Sequence, residues 1–192
     1  MPVADYTTIA LAVLVIVLAI VLFRLVSTRK SAEPQARLRK AAKAMLSDVL
    51  IPDGEDGEIL IENALLCARG IVVVDIKDIE GNIFGSDAMH DWTVITGKKR
   101  FTFANPQPGL YDRTAAVAAL VPDVPVSGYI AFTSRGKFTK GRPGHVTDID
   151  TLIRELTAES KTSGAAINAF LPGWDTLRDA AVVAQLGHLI DD

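Results

Sequence analysis

Two apolar runs, Glu58 to Cys67 and Gly70 to Lys77, are separated only by Ala68-Arg69. The simplest arrangement for that spacing is an antiparallel hairpin with a two-residue turn. The second run contains Ile71-Val72-Val73-Val74 and reads as a buried strand, because β-branched side chains suit a pleated sheet covered on both faces. Pairing Cys67 with Gly70 and carrying that register inward sets Glu62 opposite Asp75. Cross-strand partners share a face with Cβ atoms about 5 Å apart, and Lys77, two residues past Asp75, points to the same side. The hairpin therefore gathers two carboxylates and an amine.

Two carboxylates this close repel unless a cation lies between them. Hard oxygen donors suit Mg²⁺ or Mn²⁺, which keep several waters and recruit phosphate oxygens, so the expected chemistry is phosphodiester hydrolysis. The alternative is an ion pair between Glu62 and Lys77 on a solvated face, with Asp75 as a polar neighbour. Charges at the end of the domain's most apolar strand favour the first reading.

The order Ile61-Glu62-Asn63, Gly70, Val72-Val73-Val74-Asp75-Ile76-Lys77, Gly81-Asn82-Ile83-Phe84-Gly85, Trp92 and Asn105-Pro106 resembles the nuclease-related domain (NERD) family, a branch of the restriction-endonuclease-like PD-(D/E)xK fold. The match runs from about Leu46 to Leu156. The resemblance implies an α/β fold with a mixed sheet flanked by helices. It also implies Glu62 and Asp75 as metal-binding carboxylates, the Ile76 carbonyl as a further ligand and Lys77 as the catalytic lysine. The chain departs from the family's usual pattern in carrying Glu62 for Asp, Asp75 for Glu, Asn63 for His, and Gly109 where a Gln follows Asn-Pro. The helix expected from Pro34 to about Leu46 lacks the family's Glu.

Upstream, Ile9 to Phe23 is wholly apolar, and from Tyr6 to Val26 the only charge is Arg24. Such a run spans a bilayer core of about 30 Å as a helix; a cleaved signal peptide is the competing reading, without a basic leader or a small-residue cleavage site to support it. Basic residues cluster after the run and Asp5 precedes it, which predicts an external N-terminus and a cytoplasmic domain. A lone cysteine, Cys67, agrees with a reducing compartment. The expected division is an anchor at 1–28, a linker at 29–34, the α/β domain at 35–160 and a helical extension at 161–192.

The rest of the pattern predicts strands at Ile83-Phe84, Trp92–Thr96, Arg100–Phe103 and Val126–Thr133. Helices are expected at Tyr111–Leu120, Asp148–Glu159 and Trp174–Ile190. The last could pack on its own domain or on a second copy, giving a homo-oligomer. The helix after Pro34 suits either the domain's first helix or a basic helix lying on anionic lipid. With a net charge of −3, nucleic acid has no global attraction and needs local clusters. Lys98, Lys99 and Arg100, and Arg135 with Lys137, are such clusters in expected loops. No P-loop, dinucleotide fingerprint or serine-hydrolase elbow occurs, and the three histidines form no ligand motif. The function classes that remain are a membrane-tethered nuclease and a nuclease-like binding or scaffolding module.

Overall fold

The computed structural model describes residues 34–54, 56–160 and 164–183. The chain divides into Met1–Ala36 and Arg37–Asp192, and the second unit contains both sheets. The expected membrane segment, Tyr6 to Val26, lies outside the described residues; among those described, no helix is long and apolar enough to cross a membrane.

A helix, α1, covers residues 34–41, followed by β1 (Ala44–Pro52), β2 (Glu58–Cys67) and β3 (Gly70–Lys77). Next come β4 (Gly81–Phe84), β5 (Asp91–Thr96), β6 (Lys99–Ala104) and helix α2 (Gln107–Leu120). The remainder is β7 (Val126–Phe132), β8 (Gly136–Phe138), β9 (Val146–Asp148), α3 (Ile149–Ser160), α4 (Gly164–Ala169), α5 (Leu171–Ala180) and β10 (Val182–Val183). The strands form a six-stranded sheet of order β10-β1-β2-β3-β7-β9 and a four-stranded sheet of order β6-β5-β4-β8. In the larger sheet, β3, β7 and β9 run parallel to one another and the other neighbours pair antiparallel. The α/β expectation holds, as a mixed sheet with helices on both faces.

Strand alternation sorts the larger sheet into two cores. Ile71 and Val73 pack with Leu110 and Val117 of α2, Trp174 and Leu177 of α5, and Trp92 of the small sheet. Val72 and Val74 pack on the other face with Leu38 and Ala41 of α1 and with Ile149, Leu152 and Leu156 of α3. By the same alternation Asp75 and Lys77 belong to the α2 side.

The structure corrects the sequence reading at both ends of the described chain. The helix expected to reach Leu46 stops at residue 41, and Ala44 onward is strand. Eight residue pairs with β2 outweigh the local helical spacing of Leu38, Ala41 and Met45, since tertiary pairing overrides propensity. The buried Leu38 and Ala41 make α1 a domain helix. The helix expected from Trp174 to Ile190 ends at Ala180, and Val182-Val183 pair with Leu50 and Val49 at the sheet edge. Trp174 and Leu177 are buried in their own core; whatever a second copy would meet beyond residue 183 lies outside the described residues. Helix α3 begins as expected, with Asp148 Oδ1 accepting from the Asp150 and Thr151 backbone N–H groups at 3.0 and 3.4 Å, a side-chain N-cap.

Candidate functional site

The β2–β3 turn has the register anticipated: Cys67 pairs with Gly70, Leu66 with Ile71, Leu65 with Val72 and Ala64 with Val73. Gly70 has φ +114°, and a Cβ there would lie 2.0 Å from the Pro125 carbonyl oxygen. That carbonyl accepts from Ile71 N–H at 2.9 Å, so the absent side chain lets the segment before β7 close on the hairpin.

Beyond Val73 side chains replace the backbone ladder. Asn63 Nδ2 donates to the Val74 carbonyl at 3.0 Å, and Ile76 N–H donates to Glu62 Oε2 at 3.2 Å. The β1–β2 ladder also breaks at this level. Ser47 pairs with Asn63 and Val49 with Ile61, leaving Asp48, with φ +54°, across from Glu62. Side-chain alternation slips here on both strands: Leu46, Ala64 and Leu66 face the α2 core, and so do Val49 and Ile61. Glu62 thus sits on a kink shared by two strands, which frees its carboxylate to reach across β3.

There Lys77 Nζ donates to Glu62 Oε1 at 2.9 Å, with both side chains about one-third exposed or less. Asp75 is fully buried. Its Oδ2 accepts from Arg113 of α2, while its Oδ1 has no hydrogen-bond partner. Burial and the nearby Glu62 push the Asp75 carboxyl above its ordinary range, and Arg113 and Lys77 oppose that rise. Two acids and two bases thus lie together, Glu62 bonded to Lys77 and Asp75 to Arg113, although the β2–β3 ladder ends at Ala64 and Val73 and does not pair Glu62 with Asp75.

Arg113 was missed. The signal lay one helical turn upstream, at Gly109, where the family pattern has Gln. A Cβ on Gly109 would sit 3.2 Å from Arg113 Nη2 and 3.4 Å from Nη1, so losing that side chain makes the room the guanidinium fills. Gln107 is not part of the cluster. It is buried, and its Nε2 donates to Asp87 Oδ1 at 2.6 Å and to the Gly144 carbonyl at 2.8 Å. The same Asp87 oxygen accepts from Gly144 N–H at 2.8 Å. These bonds hold the Asp87 carboxyl below its usual range, Gln107 contributing most.

The basic clusters separate. Arg135 donates to Asp78 at 2.8 Å and also to Glu80, so its charge is largely neutralised. Lys98, Lys99, Arg100 and Lys137 are exposed; Lys98 lies in the β5–β6 turn and Arg100 on a strand, while Lys99 and Lys137 are on strands and not in the loops expected. Cys67 is buried and its thiol is pushed up to about 12, mainly by burial, which leaves it a core side chain. Among the described residues no group of three or more His, Cys, Asp or Glu side chains is set to hold a metal ion.

No curated protein and no solved structure matches the chain. The family model of the nuclease-related domain matches residues 28–133, a span that takes in the hairpin, the four-residue cluster and all of α2. The chain belongs to the nuclease-related domain (NERD) family.

Proposed function

We propose that this protein is a nuclease, cutting phosphodiester bonds of DNA or RNA with Glu62, Asp75 and Lys77 as its catalytic residues. The observation that carries this reading is Asp75: a fully buried carboxylate with one unpartnered oxygen, at the end of the most apolar strand. Leaving a buried acceptor unsatisfied costs about 1–3 kcal/mol, and such costs persist in native proteins mostly where a site needs them. The donor set fits a hard divalent cation, because Asp75 Oδ1 is unclaimed and a second carboxylate is adjacent. Asp75, Glu62 and the Ile76 carbonyl would hold Mg²⁺ or Mn²⁺. Once bound, such an ion supplies a water of lowered pKa and neutralises phosphate charge.

The chain's own residues do the positioning. Lys77, oriented by Glu62, is placed to stabilise negative charge developing on phosphorus. Arg113 fixes the rotamer of Asp75 through its other oxygen and acts as a positioning residue. The Ile76 N–H bond keeps the Glu62 carboxylate over β3.

A second reading, a nuclease-like module that binds or scaffolds without cutting, is favoured by the same Arg113. With two carboxylates facing two bases the cluster is already electrically balanced. Incubating the protein with single- and double-stranded DNA and RNA in Mg²⁺ or Mn²⁺, beside Lys77→Ala, separates the two. The nuclease reading expects metal-dependent cutting that falls at least about 100-fold in the variant; no cutting, or equal cutting by both, leaves the binding module. On either reading the apolar Tyr6 to Val26 segment supports attachment to a membrane, with the domain on the cytoplasmic side.

A further inference from the structure

We propose that the open face of the small sheet is a binding surface for single-stranded nucleic acid, leading to the Glu62–Asp75–Lys77 cluster. The inference rests on the nucleic-acid reading of that cluster, and not on the cluster being catalytic. One face of the sheet is closed: Ile83, Trp92 and Val94 are buried in the main core. The alternating residues form a second face. Arg100 pairs with Ile95, Ile95 with Asn82 and Asn82 with Lys137, so one row crosses all four strands, and all four of its side chains are exposed.

At about 4.8 Å per strand that row is some 14 Å wide. It carries a cation at each edge and an aliphatic chain and an amide between them. Arg135 is consumed by Asp78 and Glu80; among the described residues neither Arg100 nor Lys137 makes an ion pair, so both charges remain available to a polyanion. In the next row Phe84 pairs with Thr93, offering a half-buried aromatic side chain and a hydroxyl. Lys98 extends the basic edge at the β5–β6 turn. Asp91 occupies the opposite end of β5, so the field is basic at one end and not at the other.

This geometry selects a single strand. Duplex bases present only their edges, in grooves that admit a helix or a two-stranded ribbon, and a four-stranded face cannot enter them. Unpaired bases can lie flat on aliphatic and aromatic side chains while their phosphates meet the basic edges. The surface also starts close to the cluster along the chain. Asn82 lies five residues beyond Lys77, within about 18 Å even if the chain between is fully extended.

The test is fluorescence anisotropy of the full chain in neutral detergent with EDTA, using labelled 12-nucleotide single strands and the matching duplex. We compare Arg100→Ala/Lys137→Ala and Ile95→Glu with the unaltered chain and with Arg154→Ala, checking that thermal melting is preserved. The expected result is tighter binding of single strands than of duplex, weakened about tenfold in the double variant, with a log–log salt slope shallower by about 1.4. Ile95→Glu weakens binding as well, and Arg154→Ala, which removes an exposed charge from α3, retains it. Equal affinity in the double variant, preference for duplex, or binding only to phosphatidylserine vesicles overturns the proposal. Single-strand binding without cleavage would leave it standing and remove only the catalytic reading.

Discussion

Asp48, across from Glu62, and Asp87, outside the cluster, show how single residues set local geometry. Asp48 holds φ +54° opposite Glu62, a conformation that L-residues adopt at a cost of about 1–2 kcal/mol and that Asp and Gly tolerate best. Because the side chain is exposed, backbone strain dominates its substitutions. Asp48→Gly should change unfolding free energy by no more than about 0.5 kcal/mol, whereas Asp48→Val should lose about 1–2 kcal/mol in urea denaturation. Asp87 gives a pH signature. Its folded pKa lies below the ordinary value near 3.9, so its bonds to Gln107 and Gly144 stabilise the protein above that value. The contribution is lost as pH falls through the lower folded value. Melting curves should show a smaller acid-side drop for Asp87→Ala than for the unaltered chain in that window; superimposable drops would contradict it. None of this was visible in sequence, because a strand kink and a long-range carboxylate–amide bond leave no local pattern.

At the scale of elements, the β2–β3 hairpin was legible down to its register, since a two-residue turn between two apolar runs leaves little freedom. The strand β1 was not: Leu38, Ala41 and Met45 repeat with helical spacing, and only pairing with β2 reveals the change of structure. Arg113 was hidden for the same reason, its role depending on how α2 lies across β3 and β7. That contact is tight at Gly128, where a Cβ would sit 2.5 Å from Thr114 Oγ1 and 3.0 Å from Leu110. Gly128→Ala is therefore expected to push α2 outward, cost about 1–3 kcal/mol and loosen Arg113 from Asp75. Urea denaturation measures the loss, and an unchanged midpoint would show that α2 yields without cost.

Across the whole molecule, the large sheet supplies a rigid frame with a separate core on each face, and the small sheet continues directly from the strand that ends in Lys77. The buried Asp75, with its unpartnered Oδ1, lies on that strand two residues before Lys77. On the nuclease reading, Glu62 and Asp75 form one cation-accepting centre. Titration of Mn²⁺ followed by electron paramagnetic resonance tests it most directly. One Mn²⁺ per chain is predicted, with occupancy lost in Glu62→Gln while the variant remains folded by circular dichroism; no stoichiometric binding, or equal binding by the variant, would contradict it.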